Sequence, residues 1–231
     1  MADTTTPAAP GGSVITPKAP KGRRSDYDQT LANDITATAE LIQAALSDAA
    51  VLAALSYSEE ELREGLALQE AAQKAFDARQ NAQGAASAKR LARDTLLKKV
   101  MDEFTAFRTT VQNSFPPAAR TPLGAGGVVP TDLQKRITLM RGAYTTAQTA
   151  DFAPTLAKRK LSAAVLTARL AEVDELEKLS REFRAADKSA TAATQARDEA
   201  GEAMRKWTGK LRKQAKSDLR GQPELRAKLG L

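Results

Sequence analysis

The side chains that most enzymes use for chemistry are missing from this chain. Its 231 residues contain no histidine and no cysteine. That removes the Ser-His-Asp triad, the imidazole general base, the thiolate nucleophile, the zinc knuckle, the iron-sulfur cluster and the disulfide. Carboxylate, lysine and hydroxyl chemistry remain. Two carboxylate runs are dense enough to weigh as metal ligands, Glu59-Glu60-Glu61 and Glu172, Asp174, Glu175 and Glu177. Di-iron bundles pair such carboxylates with a histidine three residues on. With none present, the runs read as first-turn charges that favour a helix dipole and as a solvated helix face. The loop Gly124-Ala-Gly-Gly127 lacks the Gly-Lys-Ser/Thr ending of a phosphate loop, and Gly209-Lys210 sits inside a helical pattern. The first reads as a flexible interhelical linker, the second as helix interior. No catalytic, cofactor or metal residue is assigned, no small-molecule substrate is implied, and a non-enzyme is expected.

Binding is the remaining route to function, and charge is its clearest signal. The net charge of +7 is unevenly spread. Residues 1–24 carry +3 and residues 205–231 carry +7, while the body from 25 to 204 carries −3. Arg205, Lys206, Lys210, Arg212, Lys213, Lys216 and Arg220 crowd the end of a helical pattern. There they suit the dipole, and they could also engage phosphates or an acidic face on a neighbouring subunit. The one tryptophan, Trp207, falls on an apolar stripe between Met204 and Leu211. It reads first as core or subunit contact and second as a binding anchor. These eight residues form the candidate interface. No aromatic interleaving and no recognisable nucleic-acid-binding motif accompanies the cations, so nucleic acid stays the alternative partner.

The elements that must position these residues are helical. With 46 alanines, 25 leucines and ten aromatic residues, the composition is that of long helices and coiled coils. Residues 1–24, rich in Thr, Pro, Ala and Gly, read as a flexible basic arm. Ser25 starts an amphipathic helix through Leu31, Ile35, Ala39, Ile42 and Leu46. Ser58 and Glu61 form a capping box that opens a segment running to about Asn113 without proline, read as one long helix despite Gly84. Pro116 and Pro117 stop it. After the 116–130 linker, Thr131 and Gln134 suggest a second capping box, followed by Leu133, Ile137, Met140, Tyr144 and Ala147 on one face. Pro154 then leads into the last long helix, which Gly221 and Pro223 end ahead of a 222–231 tail.

The two halves repeat. An ungapped shift of 104 lays Leu62 on Leu166, Leu66 on Leu170, Lys74 on Lys178 and Ala92-Arg93-Asp94 on Ala196-Arg197-Asp198. The short helices match at 102, with Ile35-Thr36 on Ile137-Thr138. Units 25–115 and 131–221 are each a short helix plus a long one, whose apolar stripe needs a partner. The expected fold is all-α: an elongated antiparallel four-helix bundle or coiled coil, thickest where the short pair lies. Alanine-dense stretches such as 85–92 and 185–196 bury little area per residue, which invites self-association.

The stretches Trp207–Arg212, Ser217-Asp-Leu-Arg220, Pro223-Glu-Leu225 and Leu229-Gly-Leu231 resemble a loose group of bacterial, duplicated, all-helical proteins that end in a Pro, Leu, Leu-Gly-Leu pattern. The resemblance implies a helical fold and supplies no activity. The expected function is structural: self-association, up to an extended assembly or filament, through helix stripes and basic termini meeting an acidic body. A basic nucleic-acid or nucleoid-binding protein is the alternative, and a coat on a lipid or polymer granule comes third. No apolar run reaches the roughly 18 residues of a membrane span and no signal peptide is evident, so a cytoplasmic homo-oligomer is expected, with unconventional export left open.

Overall fold

The computed structural model describes residues 23–231, so the arm expected over residues 1–24 lies outside them except for its last two residues. Eight helices follow: α1 (Arg23–Ser47), α2 (Ala49–Ala54), α3 (Glu59–Ser114), α4 (Pro117–Arg120), α5 (Leu133–Ala147), α6 (Ala153–Ala157), α7 (Ala163–Asp218) and α8 (Pro223–Lys228). There is no strand among the described residues. The fold is an all-α bundle built on α3 and α7, which run through Gly84 and Ser189 without a break. Each has 56 residues, about 84 Å at 1.5 Å per residue.

The duplication extends to the helix ends, since α3 and α7 start and stop 104 residues apart. Ser58 caps α3 by accepting from the Glu61 N–H, with Glu61 closing the box, and Ser162 caps α7 by accepting from the Val165 N–H. The last long helix therefore does not begin at Pro154, which instead opens the five-residue α6. Two other expected starts also move. α1 already begins at Arg23, two residues before Ser25, and α5 is capped by Asp132, whose carboxylate accepts from the Lys135 N–H, in place of Thr131.

Buried positions of α3, among them Leu62, Gly65, Ala72, Phe76, Arg79, Ala86 and Val100, are separated by three, four or multiples of seven residues, and those of α7 by three, four, seven or ten from Leu166 to Ala215. That is the 3.5-residue repeat of a left-handed coil. Ion pairs Lys89–Glu182 (2.5 Å) and Lys99–Glu172 (2.6 Å) fix the antiparallel register. The short helices then take opposite ends of the pair. α1 packs with the start of α3 and the end of α7, where the Thr38 and Thr208 hydroxyls lie 3.2 Å apart. α5 packs with the end of α3 and the start of α7, where Tyr144 meets Phe104 and Phe107 edge-on. A rotation that exchanges two antiparallel helices leaves the faces of the pair unchanged. α1 and α5 consequently lie on the same face, and each end is three helices thick with a two-helix waist between them.

The segments read as linker and tail are matching parts of the repeat. Pro117, Arg120, Leu123 and Gly124 recur as Pro223, Arg226, Leu229 and Gly230. Leu123 is fully buried and Leu229 nearly so, and both glycines have positive φ (68° and 64°). The Ala125 N–H returns to the Arg120 carbonyl and the Leu231 N–H to the Arg226 carbonyl, the long bond of a Schellman turn. With Leu123 and Ala125 in the core, Gly124–Gly127 is no loose linker: Arg108 donates to the Gly127 carbonyl and Gln112 to that of Ala125. α6 ends in the same turn, the Leu161 N–H reaching the Leu156 carbonyl, but a lysine, Lys160, holds the left-handed position at φ 64°. Lys160→Gly is expected to stabilise the protein by about 0.5–1 kcal/mol by relieving that strain. Thermal unfolding checks it; at this chain length each kcal/mol moves Tm by about 2–4 °C.

Candidate interaction surfaces

The end of α7 separates the predicted interface residues into two groups. Trp207 faces inward. Its ring packs edge-on to Tyr57 with centroids 6.1 Å apart, and lies over Gly65, where an added Cβ would sit 2.0 Å from the indole. Arg205 is also engaged, donating to Asp34 (2.7 Å) with its guanidinium 5.1 Å from the Tyr27 ring centre. Lys206, Lys210, Arg212, Lys213, Lys216 and Arg220 are exposed, and of the seven cations Arg205 alone is in an ion pair among the described residues. Lys206, Lys210, Lys213 and Lys216 fall opposite Met204, Thr208, Leu211 and Ala215, so the buried seam turns the lysines outward.

An acidic face accompanies this basic one. Glu60, Glu64, Glu70 and Asp77 are exposed on the outside of α3 and are likewise in no ion pair among the described residues. The two faces share an end because Leu62 packs with Leu211 and Leu219, and the Ser56 N–H donates to Asp218 at 2.8 Å. The concentration of positive charge at the C-terminus in sequence is therefore balanced in space by the start of α3.

Apart from Glu60, which is exposed and in no ion pair among the described residues, the carboxylates weighed as metal ligands are engaged within the fold. Glu59 pairs with Arg63, Glu61 caps α3, Asp174 and Glu177 hold Arg141, Glu175 pairs with Lys178 and Glu172 pairs with Lys99. The Arg141 guanidinium holds the Glu177 carboxyl below its usual range. No group of three candidate ligands occurs among the described residues.

A polar cluster that the sequence did not announce sits under α5. Glu103 and Glu172 lie together with Arg169, Lys99 and the Tyr144 hydroxyl; Arg169 is 3.6 Å from Glu103. Burial, then the neighbouring Glu172 carboxylate, push the Glu103 carboxyl up, and burial pushes the Tyr144 phenol up to about 12. A carboxyl raised on folding stabilises below its unfolded value, and that contribution is lost as pH rises through the folded one. Glu103→Gln mimics the protonated form. The variant should thus gain stability relative to the parent as pH rises from about 4.3 toward neutrality, measured as the difference in urea midpoints at the two pH values. A constant difference would contradict the raised value.

The waist holds a groove of about 740 Å³. Seam positions that carry apolar side chains at the ends carry Arg79, Gln83, Arg90, Asp187, Thr194 and Arg197 here. At its α1 side Asp28 lies between two guanidiniums, 2.5 Å from Arg79 and 2.5 Å from Arg197, which are only 5% and 6% exposed. Arg197 also lies over the Tyr27 ring and donates through Nε and Nη2 to Asp198. Its repeat counterpart Arg93 donates through the same two atoms to Asp94 and lies over Phe183.

Compared with protein-family models, curated proteins and solved structures, the chain matches none. Among the described residues no helix is long and apolar enough to cross a membrane.

Proposed function

We propose that this chain is a non-enzymatic helical rod that self-associates side by side, the basic outer face of α7 in one copy meeting the acidic outer face of α3 in another. The observation that carries the reading is that Lys206, Lys210, Arg212, Lys213, Lys216 and Arg220 on one face, and Glu60, Glu64, Glu70 and Asp77 on the other, are exposed and in no ion pair among the described residues. The apolar stripes do not supply the drive, because the two repeat units close them against each other; Leu91, Val128 and Tyr27 are the exposed large apolar side chains among the described residues. A single exposed ion pair contributes about 0–1 kcal/mol. A row of them between two copies adds up and fades with salt, since the Debye length shortens to about 3 Å at 1 M. Each copy offers both faces, so the contact either closes into a twofold dimer or propagates into an open assembly.

Sedimentation velocity at low and at molar salt tests this. Association at low salt that dissolves at high salt, and that is lost when Lys206, Lys210 and Lys213 become Glu, is the expected result. A monomer at every concentration and salt would overturn it. The spacing of these three lysines, four and then three residues apart on one exposed face, also suits a phosphate backbone. Tight duplex binding by a chain that stays monomeric would favour that second reading.

A further inference from the structure

We propose that two copies cross at their waists, each seated in the saddle of the other, with Asp187 of one copy closing on Arg90 and Arg93 of the second. This rests on the self-association reading and adds to it a second contact, away from the charged end faces.

Internal symmetry shows what the waist lacks. Arg197 and Arg93 are the same position in the two repeats, each held by the next residue through Nε and Nη2. The remaining Nη1 of Arg197 donates to Asp28 of α1 at 2.5 Å. The Nη1 of Arg93 has no acceptor among the described residues. The reason lies in the short helices. α5 starts at Leu133, the counterpart of Leu31, whereas α1 reaches eight residues further back to bring Tyr27 and Asp28 over the seam. In the second repeat those residues fall in the loop containing Gly126, Gly127 and Pro130, so among the described residues no carboxylate reaches Arg93 beside Asp94 in the way Asp28 reaches Arg197.

The same groove holds the missing group in the wrong place. Asp187 lines it, is exposed, and is in no ion pair among the described residues, while Arg90 has only a 3.6 Å contact with Asp94. One chain carries both halves of a pair that it does not itself close. A second copy facing it can exchange them reciprocally, as an isologous contact does.

The dimensions fit a crossed arrangement. From Arg79, covered by α1, to Leu97, packed in the α5 core, is about 27 Å of α3, and the first turn of α1 takes about 5 Å of that. The open saddle of roughly 20 Å, bounded by α1 and α5 on the same face, matches two helices side by side at about 10 Å each. A waist is two helices wide. Copies stacked parallel would clash through α1 and α5, while crossed ones clear them.

The test uses the full chain, which lacks cysteine, so one introduced thiol is unambiguous. Asp187→Arg and Arg90→Asp should each weaken low-salt association at least tenfold by sedimentation, and the double exchange should restore it. Ser87→Cys, in the groove, should form a disulfide-linked dimer under mild oxidation. Should a mixture of Lys213→Cys and Glu64→Cys chains cross-link across the end faces while Ser87→Cys does not, or the double exchange fail to restore association, the waist contact is overturned and the side-by-side reading stands. A parent chain that never associates overturns both.

Discussion

Replacing Asp28 with alanine is expected to destabilise the protein by about 3–5 kcal/mol, the usual penalty for breaking a buried pair from one side. The size follows from what is left behind. Arg79 and Arg197 each donate one Nη1 to the two oxygens of this single carboxylate, and both guanidiniums are over nine-tenths buried. Arg197 retains Asp198 as a partner, but Arg79 already has a buried Nε without an acceptor and would lose its one ion pair. Urea unfolding followed by Trp207 fluorescence reads the loss. Replacing the trio together, Asp28→Leu with Arg79→Met and Arg197→Met, should recover most of it, because apolar isosteres avoid the desolvation that the charges suffer. If Asp28→Ala costs under about 1 kcal/mol, the arginines are being solvated from the waist groove and the clamp is not what joins α1 to the long pair.

That clamp also marks the limit of what the sequence discloses. The repeat was legible because Leu62, Leu166 and the Arg-Asp pairs recur without a gap, and an amphipathic pattern needs only apolar letters at helical spacing. The same rule misassigned individual positions. An apolar letter suggests burial, yet Leu91 is 70% exposed, and polar letters suggest solvent, yet Arg79, Ser180 and Arg197 are buried. Ser180 is satisfied within its own helix, donating to the Leu176 carbonyl, but a guanidinium in the seam needs a carboxylate from a distant element, and Asp28 is 51 residues from Arg79. The Pro, Arg, Leu-Gly repeat after each long helix was hidden by a two-residue indel and by the habit of reading proline and glycine as linker. The short helices were expected to thicken one region; their placement at opposite ends follows from the twofold relation of α3 and α7, which only packing reveals. The candidate cations fared unevenly for the same reason. Trp207, which the spacing put on the apolar stripe, faces inward and Lys206, Lys210 and Lys213 face outward, while Arg205 is drawn from the free set by Asp34 and Tyr27, both on α1.

Gly65→Ala, which on an exposed helix would stabilise by about 1 kcal/mol, should here destabilise by about 1–3 kcal/mol. The new Cβ would stand 2.0 Å from Trp207 Cη2 and 2.3 Å from Cζ2, and the indole is also held by the edge of Tyr57. A ring braced on two sides moves only by giving up contacts. Trp207→Ala should cost about 2–4 kcal/mol, somewhat under the 3–5 typical of a fully buried aromatic because this one is half-buried. The informative measurement is the cycle of the two, by thermal and urea unfolding with far-UV circular dichroism. In the Trp207→Ala background the Gly65→Ala change should reverse sign and stabilise, giving a coupling of at least about 2 kcal/mol. Additive costs would mean that the indole swings out into solvent. The duplication sharpens the expectation, since Gly65 and Trp207 correspond to Arg169 and Glu103 in the other repeat, which form an ion-paired contact at the same register. Equivalent positions of the repeat are thus filled in two ways, by a ring over a glycine at one end and by a guanidinium beside a carboxylate at the other. Each side chain fits only the partner it faces, so the two ends should tolerate substitution independently: Gly65→Ala should leave the pH response of Glu103 unchanged.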